Sequence, residues 1–350
     1  MKAVCFQDVK QVAFKNLVDP VIEQPHEAIV KVSMAGLCGS DLHVYYGREK
    51  GIDVDTVMGH ELVGTVVEKG DSVSKLDVGD RVYAPFTTNC GDCFYCNSGL
   101  TARCTSGQLF GWVENGEGLN GGQSEYVRVP LADGTLKKVP DSVSDASALL
   151  LGDNFSTGYY CAEMAEIKEG GTYVVVGCGT VGLLCIMAAK HLGAENIFAL
   201  DPVAARRKEA ESLGAIALDA DSDSAAVAEI RAKSSGRGAD AVMELVGLPA
   251  AQKIAFEVLR PGGIMSVVGC HCTPNFSFSP VDAFDKNLTY KTGRCSARTY
   301  MDKLTGLVAD GAFKLDHFVS RRFAVEDCVE AYDVFSNRKD GCLKAVIEFA

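Results

Sequence analysis

Between residues 172 and 268 short apolar runs alternate with stretches of helical period, and this alternation constrains the fold more than any other feature of the chain. Residues 172–176, 196–200, 241–246 and 264–268 read as strands, whereas 181–192, 205–213 and 250–259 repeat apolar residues at helical spacing. Strands joined through helices line up parallel, with the helices covering the sheet, so a doubly wound α/β domain is expected here. Gly177, Gly179 and Gly182 stand in G-C-G-T-V-G between the first strand and the first helix. Glycines at those points permit a tight turn, let backbone approach a pyrophosphate, and let the helix pack on the strand. The first helical amides, around Thr180 and Val181, then face the anion. The second strand ends in Asp201, about twenty residues on, where a carboxylate accepts hydrogen bonds from both adenosine ribose hydroxyls and repels a 2′-phosphate. NAD is therefore expected over NADP. Arg206, counted among the cofactor contacts, and Arg207 leave some tolerance for NADP.

The residues before this region have another texture. Up to about residue 150, short β-type runs such as 28–32 and 62–68 are punctuated by Gly, Asp and Pro, with few helical periods. After residue 287 the pattern is mixed again, with helices expected near 300–309 and 326–337 and a closing strand at 344–349. A chain of 350 residues exceeds what one core organises. Two domains are expected, a β-rich one at 1–152 with 290–350 and the parallel-sheet one at 153–289.

Cys90, Cys93, Cys96 and Cys104 form C-x2-C-x2-C-x7-C in a loop poor in apolar residues. That spacing lets four thiolates converge on one tetrahedral ion, and four sulfur ligands leave no position for substrate. A structural zinc that staples the loop is expected, a disulfide pair being the bland alternative. Fourteen cysteines, four of them clustered in a large acidic chain, point to reduced thiols and metal rather than to a secreted disulfide framework. A net charge of -12 and no basic run argue against nucleic acid or anionic lipid as partners. No apolar stretch approaches the ~20 residues of a membrane span, and residues 1–10 do not read as a signal peptide, so a cytoplasmic location is expected.

A second set of metal-ligating residue types lies outside the lobe. Cys38 stands in G-L-C-G-S-D-L-H, His60 and Glu61 in G-H-E, and Asp153 in L-G-D-N-F-S-T-G. Taken singly these are a small buried thiol, a satisfied histidine and a turn or cap aspartate. Alongside a nucleotide fold and a zinc lobe they suggest a Lewis-acid site, which alcohol oxidation needs in order to acidify the hydroxyl.

With G-H-E-L-V-G, V-G-D-R-V, the four cysteines, G-G-Q-S-E-Y and G-C-G-T-V-G, the whole chain resembles the zinc-containing medium-chain alcohol dehydrogenase family. That resemblance implies a GroES-like β-rich catalytic domain joined to a Rossmann doubly wound domain, two zinc ions per chain and NAD(H). It places Cys38 and His60 at catalytic-zinc positions, with Glu61 as the adjacent acid that can approach the metal. Asp153 stands where many members carry a cysteine, exchanging a thiolate for a harder carboxylate at the same charge. Ser40 is implied to hydrogen-bond the reacting alcohol and His43 to complete a proton relay through the ribose to solvent. Thr157 matches a position beside the nicotinamide, Lys344 one that contacts the pyrophosphate, and backbone around Val268 and Gly293 one that receives the carboxamide. His26, His191 and His271 show no ligand-like neighbours, and His317 precedes an apolar segment where packing is the simpler role. The implied substrates are small alcohols, secondary or polyhydroxy, and their carbonyl partners, turned over by a homodimer or homotetramer. Residues 44–57 and 110–120 carry no motif that selects among substrates. Two rivals are a zinc-free reductase of the same fold, which would lack these ligands, and a non-catalytic zinc- and nucleotide-binding relative. The second would have lost a ligand or relay residue, and none is missing.

Overall fold

In a computed structural model of the chain, residues 1–220 and 223–349 are described. The chain divides into two units, Met1–Ser156 with Ser296–Ala350, and Thr157–Cys295. Ala350, the end of the expected C-terminal range, and residues 221 and 222 within the expected parallel-sheet range lie outside the described residues.

The second unit is built on a six-stranded sheet in the order Ile216–Leu218, Asn196–Leu200, Thr172–Val176, Ala239–Glu244, Leu259–Val267, Thr289–Thr292, with every neighbouring pair parallel. In chain order the strands run third, second, first, fourth, fifth, sixth. This is the doubly wound arrangement, whose direction of winding reverses between the first and fourth strands and opens a crevice there. All five residues of Thr172–Val176 are buried, as a central parallel strand covered on both faces requires. Val174, Val176, Phe198, Leu200, Val242, Met265 and Val267 form the centre of the core, joined by Ile254 and Val258 from the helix Pro249–Val258.

Four elements here were not read from sequence: the strands Ile216–Leu218 and Thr289–Thr292 and the helices Asp223–Lys233 and Pro280–Asp285. The two strands are short and lie at the sheet's edges, so neither carries a buried alternation. The fifth strand begins five residues earlier than residue 264, because Pro261, Gly262 and Gly263 sit inside it at a register shift. Proline and glycine at a bulge mimic a strand end in the sequence.

The first unit is organised by a largely antiparallel sheet in the order Val319–Ala324, Lys344–Glu348, Ala28–Gly36, Leu62–Lys69, Arg81–Tyr83, Lys137–Lys138, with Tyr126–Val129 also paired to Ala28–Gly36. Its core takes Val30, Val32, Leu62, Val66, Val82, Val127 and Val129 from the inward faces of these strands. Lys344–Glu348 pairs antiparallel with Ala28–Gly36, Val346 opposite Gly36, so the end of the chain is an inner strand of this sheet. The helix Asp145–Gly152 is capped by Ser144, whose hydroxyl accepts from the Ser147 amide. It ends at Asp153, whose backbone (φ -142, ψ -72) breaks the helical path before Asn154–Met164 begins. The second helix therefore starts at once, at Asn154, and not behind a hydroxyl cap at Ser156. Ser156 lies inside it and donates its hydroxyl to the Leu151 carbonyl instead.

Candidate metal centres and nucleotide site

Strand pairing assembles the mixed-ligand cluster. Cys38 follows the strand Ala28–Gly36, and His60 and Glu61 precede Leu62–Lys69; Ala35 lies opposite Leu62 in that antiparallel pair, so both segments reach the same end of the sheet. Asp153 comes from the break between the two helices. Cys38, His60, Glu61 and Asp153 are 8%, 9%, 0% and 7% exposed, and one ligand atom from each lies within 4.8 Å of the others. Asp153 Oδ2 is 3.4 Å from Cys38 Sγ and 3.5 Å from His60 Nε2. A tetrahedral ion with bonds of about 2.0–2.3 Å spaces its ligand atoms about 3.3–3.8 Å apart, and both distances from Asp153 Oδ2 fall in that range.

The charge pattern agrees with a cation in this place. Burial, with the Asp153 and Glu61 carboxylates, pushes the Cys38 thiol up to about 11. Burial pulls His60 down, but the Asp41 and Asp153 carboxylates outweigh it and hold the imidazole well above its ordinary value. A buried anionic pocket thus retains protons on the atoms a divalent ion would take. Asp41, missed in the sequence, accepts from His60 Nδ1 at 3.1 Å through Oδ1 and from the Cys38 amide at 2.9 Å through Oδ2. That bond fixes the imidazole with Nε2 turned toward Asp153 Oδ2. The available signal was a carboxylate three residues after a candidate ligand cysteine.

Ser40 Oγ is 3.2 Å from His60 Nε2 and so borders the same pocket. His43 lies on the helix Asp41–Tyr45 and is 5% exposed. Glu61 is held on its far side: Lys344 Nζ lies 2.5 Å from Oε1 and also contacts Oε2, and Asn154 Nδ2 donates to Oε1 at 2.9 Å. Lys344, expected to contact the pyrophosphate, is paired here with Glu61. Its side chain is 1% exposed and its remaining bond, at 3.0 Å, goes to the Leu37 carbonyl. Burial pulls the ammonium down, and Glu61 beside it outweighs this and keeps Lys344 above the ordinary lysine range. The charge is committed to Glu61. Gly36 makes room for the pair, since a Cβ there would stand 1.9 Å from Glu61 Oε2.

The cysteine lobe is different in kind. Cys90, Cys93, Cys96 and Cys104 are half-buried and unpaired by disulfides, and their sulfurs lie within 4.8 Å of one another. Backbone amides bond the sulfurs: Asp92 and Cys93 donate to Cys90 Sγ at 3.4 and 3.3 Å, and Cys90 donates to Cys104 Sγ at 3.2 Å. Amides of Cys96 and Thr105 pull the Cys93 thiol down to about 6. Apolar residues here do not form a core; Phe94 is 75% exposed.

In the second unit the loop Gly177–Gly182 joins Thr172–Val176 to the helix Thr180–His191, with Gly179 at its N-cap. Any Cβ at Gly182 would stand 1.8 Å from the Gly177 carbonyl oxygen, so the turn closes only with glycine. Asp201, at 3% exposure, accepts from the Cys178 amide and the Val203 amide, both at 2.8 Å, and Arg206 Nη1 lies 3.8 Å from its Oδ2. The carboxylate is thus tied to the glycine loop. The Val268 amide donates to the Glu244 carbonyl, and Thr157 lies on Asn154–Met164. His271, read as lacking ligand-like neighbours, sits 3.1 Å from Glu244, a buried carboxylate that also accepts from the Val246 and Gly247 amides.

Comparison with known proteins agrees with this architecture. Residues 24–141 match the alcohol dehydrogenase GroES-like domain and residues 180–310 the zinc-binding dehydrogenase domain. The chain is 38% identical over 347 residues to zinc-type alcohol dehydrogenase B of Aspergillus flavus, covering 97% of this chain and 79% of that one. It is 30% identical over 368 residues to an alcohol dehydrogenase of Cupriavidus necator, covering 99% and 98%. Among solved structures, alcohol dehydrogenase TADH from Thermus sp. ATN1 superposes with a TM-score of 0.91 at 35% identity over 99% of both chains. A GroES-like unit carrying two clusters of metal-ligating side chains, a doubly wound unit with a glycine turn, and full-length identity to these oxidoreductases make the chain a member of the zinc-containing medium-chain alcohol dehydrogenase family.

Proposed function

We propose that the chain catalyses reversible hydride transfer between NAD(H) and a small secondary or polyhydroxy alcohol, with one zinc held by Cys38, His60 and Asp153 and a second held by Cys90, Cys93, Cys96 and Cys104. The observation that carries this reading is that Asp153 Oδ2 lies 3.4 Å from Cys38 Sγ and 3.5 Å from His60 Nε2, with the ligand atoms of the buried cluster within 4.8 Å of one another. Three protein ligands leave one position open, the mark of a catalytic rather than a structural site. When bound, zinc there supplies Lewis acidity that lowers the pKa of an alcohol hydroxyl, and NAD accepts the hydride.

The chain's own residues do the rest. Asp41 keeps His60 in the tautomer whose Nε2 faces the pocket, and the walls of Cys38, Glu61 and Asp153 exclude water. Ser40 Oγ takes the proton from the alcohol and passes it toward His43, which completes the relay. Lys344 and Asn154 hold Glu61 back, so that the open position stays with substrate. On the nucleotide side the amides after Gly179 receive the pyrophosphate, Asp201 and Arg206 border the adenosine ribose, and Thr157 with backbone near Val268 lines the nicotinamide. The first unit serves as the catalytic domain and the second binds NAD.

An NADH-absorbance screen across primary, secondary and polyhydroxy alcohols tests this directly, with turnover expected to be fastest on a secondary or polyhydroxy alcohol with NAD. No turnover on any alcohol with two zincs bound would reject it. Asp201→Ala should weaken NAD by about 2–3 kcal/mol, or roughly 30- to 150-fold, and improve use of NADP. A native preference for NADP of tenfold or more would remove the role given to Asp201.

A further inference from the structure

We propose that Asn154 is a positioning residue for the mixed-ligand metal site, selecting the ligating oxygen of Asp153 and holding Glu61 away from the ion through one shared amide group. The inference rests on the reading of Cys38, His60 and Asp153 as ligands and adds a residue to it. Asn154 is 1% exposed, and its Nδ2 donates at once to Asp153 Oδ2 at 3.2 Å and to Glu61 Oε1 at 2.9 Å. Asp153 Oδ2 is the oxygen that faces both Cys38 Sγ and His60 Nε2. One N–H of the amide therefore marks the oxygen aimed at the metal, and the other is spent on the neighbouring acid.

Two features separate this from ordinary buried packing. First, Asn154 Oδ1 is buried without a hydrogen-bond partner among the described residues, so the side chain is not placed there to satisfy itself. Buried polar groups are normally paired, and an exception asks for a reason. Second, the amide cannot turn over to relieve that oxygen, because flipping it would set Oδ1 against two carboxylate oxygens. The orientation is fixed by the two acids, and the acids are in turn held apart by the amide. Without the amide, Asp153 loses one of the hydrogen bonds that orient its carboxyl group, and Glu61 loses one of its side-chain partners, Lys344 remaining among the described residues. Outer partners of metal ligands act in this way, and losing one costs about tenfold to a hundredfold in metal affinity.

The test uses the full chain with Asn154→Leu, which keeps the branched outline of the side chain and removes both donors, and Asn154→Asp, which keeps shape and adds a third carboxylate. Metal affinity is read by chelator competition. The ligand field is read from the visible spectrum of cobalt at this site, taken as the difference against a Cys38→Ser chain. Both variants are expected to melt close to the native chain when metal-free. Asn154→Leu should lose about ten- to a hundredfold in affinity with a shifted cobalt band. Asn154→Asp should shift the band without restoring the native one. Native affinity and an unchanged band in both variants would overturn the proposal while leaving the ligand set standing. A fall in metal-free melting that accounts for the whole loss of metal in both variants would overturn it too, by making the residue merely structural. If the native chain itself holds only the lobe's ion, the ligand reading fails and this inference with it.

Discussion

The first unit carries two clusters that invite a metal, and they are built by opposite routes. The cysteine lobe takes its four thiols from fifteen consecutive residues, Cys90 to Cys104, leaves them half-exposed, and bonds the sulfurs with backbone amides. The other cluster draws Cys38, His60 and Asp153 from three separate segments, buries them, and surrounds them with side-chain carboxylates. Four soft donors of one kind close a coordination sphere, whereas three donors of three kinds leave a vacancy. A loop without a core can be held by an ion, and a buried pocket can use one.

If that contrast holds, substitutions in the two clusters should separate activity from stability. His60→Ala should cut turnover by on the order of 10³-fold or more, since the Lewis acid supplies several kcal/mol, and should reduce bound zinc from two to about one with the fold retained. Cys96→Ser should also remove one zinc, but lower the melting temperature and open the lobe to protease while turnover by the folded fraction persists. Full turnover in a one-zinc His60→Ala chain would erase the distinction.

The Glu61–Lys344 pair sharpens the comparison, because among the described residues no buried ion pair supports the lobe. Removing one partner of a buried ion pair strands the other, so Lys344→Ala should cost about 3–5 kcal/mol of unfolding free energy in denaturant titration. Were Lys344 a pyrophosphate contact, the substitution would leave stability unchanged and raise the KM for NAD instead.

Asp153→Asn gives the smallest of these effects and addresses the boundary between the clusters most finely. A neutral amide is a poor ligand, so metal affinity at the mixed site should fall by about tenfold or more while the lobe keeps its ion. Asp153→Cys should retain zinc and measurable turnover. If Asp153→Asn kept both zincs and its rate, the third ligand would pass to Glu61.

What could be read from the sequence follows the same division. The lobe and the glycine turn are contiguous, so spacing alone carries their geometry. Cys38, His60 and Asp153 were legible as ligand types, yet their convergence depends on the pairing of Ala35 with Leu62 and on a helix break at Asp153, neither of which any periodicity marks. The side chains that orient them were illegible or misread: Asp41 because it looks like a helix-start aspartate, and Asn154 because a buried amide leaves no pattern. The pairing of Lys344 with Glu61 was illegible because the two lie 283 residues apart. Likewise the strand Leu259–Val267 was cut short by Pro261, Gly262 and Gly263, since the bulge that accommodates them is a property of the sheet.

The central claim is that turnover belongs to the mixed-ligand ion and the lobe's ion only holds structure. Zinc-edge X-ray absorption on the native chain, followed together with turnover during chelation, tests it most directly, because one site presents a single sulfur with nitrogen and oxygen and the other presents four sulfurs. Turnover is expected to fall in proportion to the loss of the one-sulfur shell and to be indifferent to the four-sulfur shell. Activity that tracks the four-sulfur shell, or that persists once only that shell remains, would contradict the account.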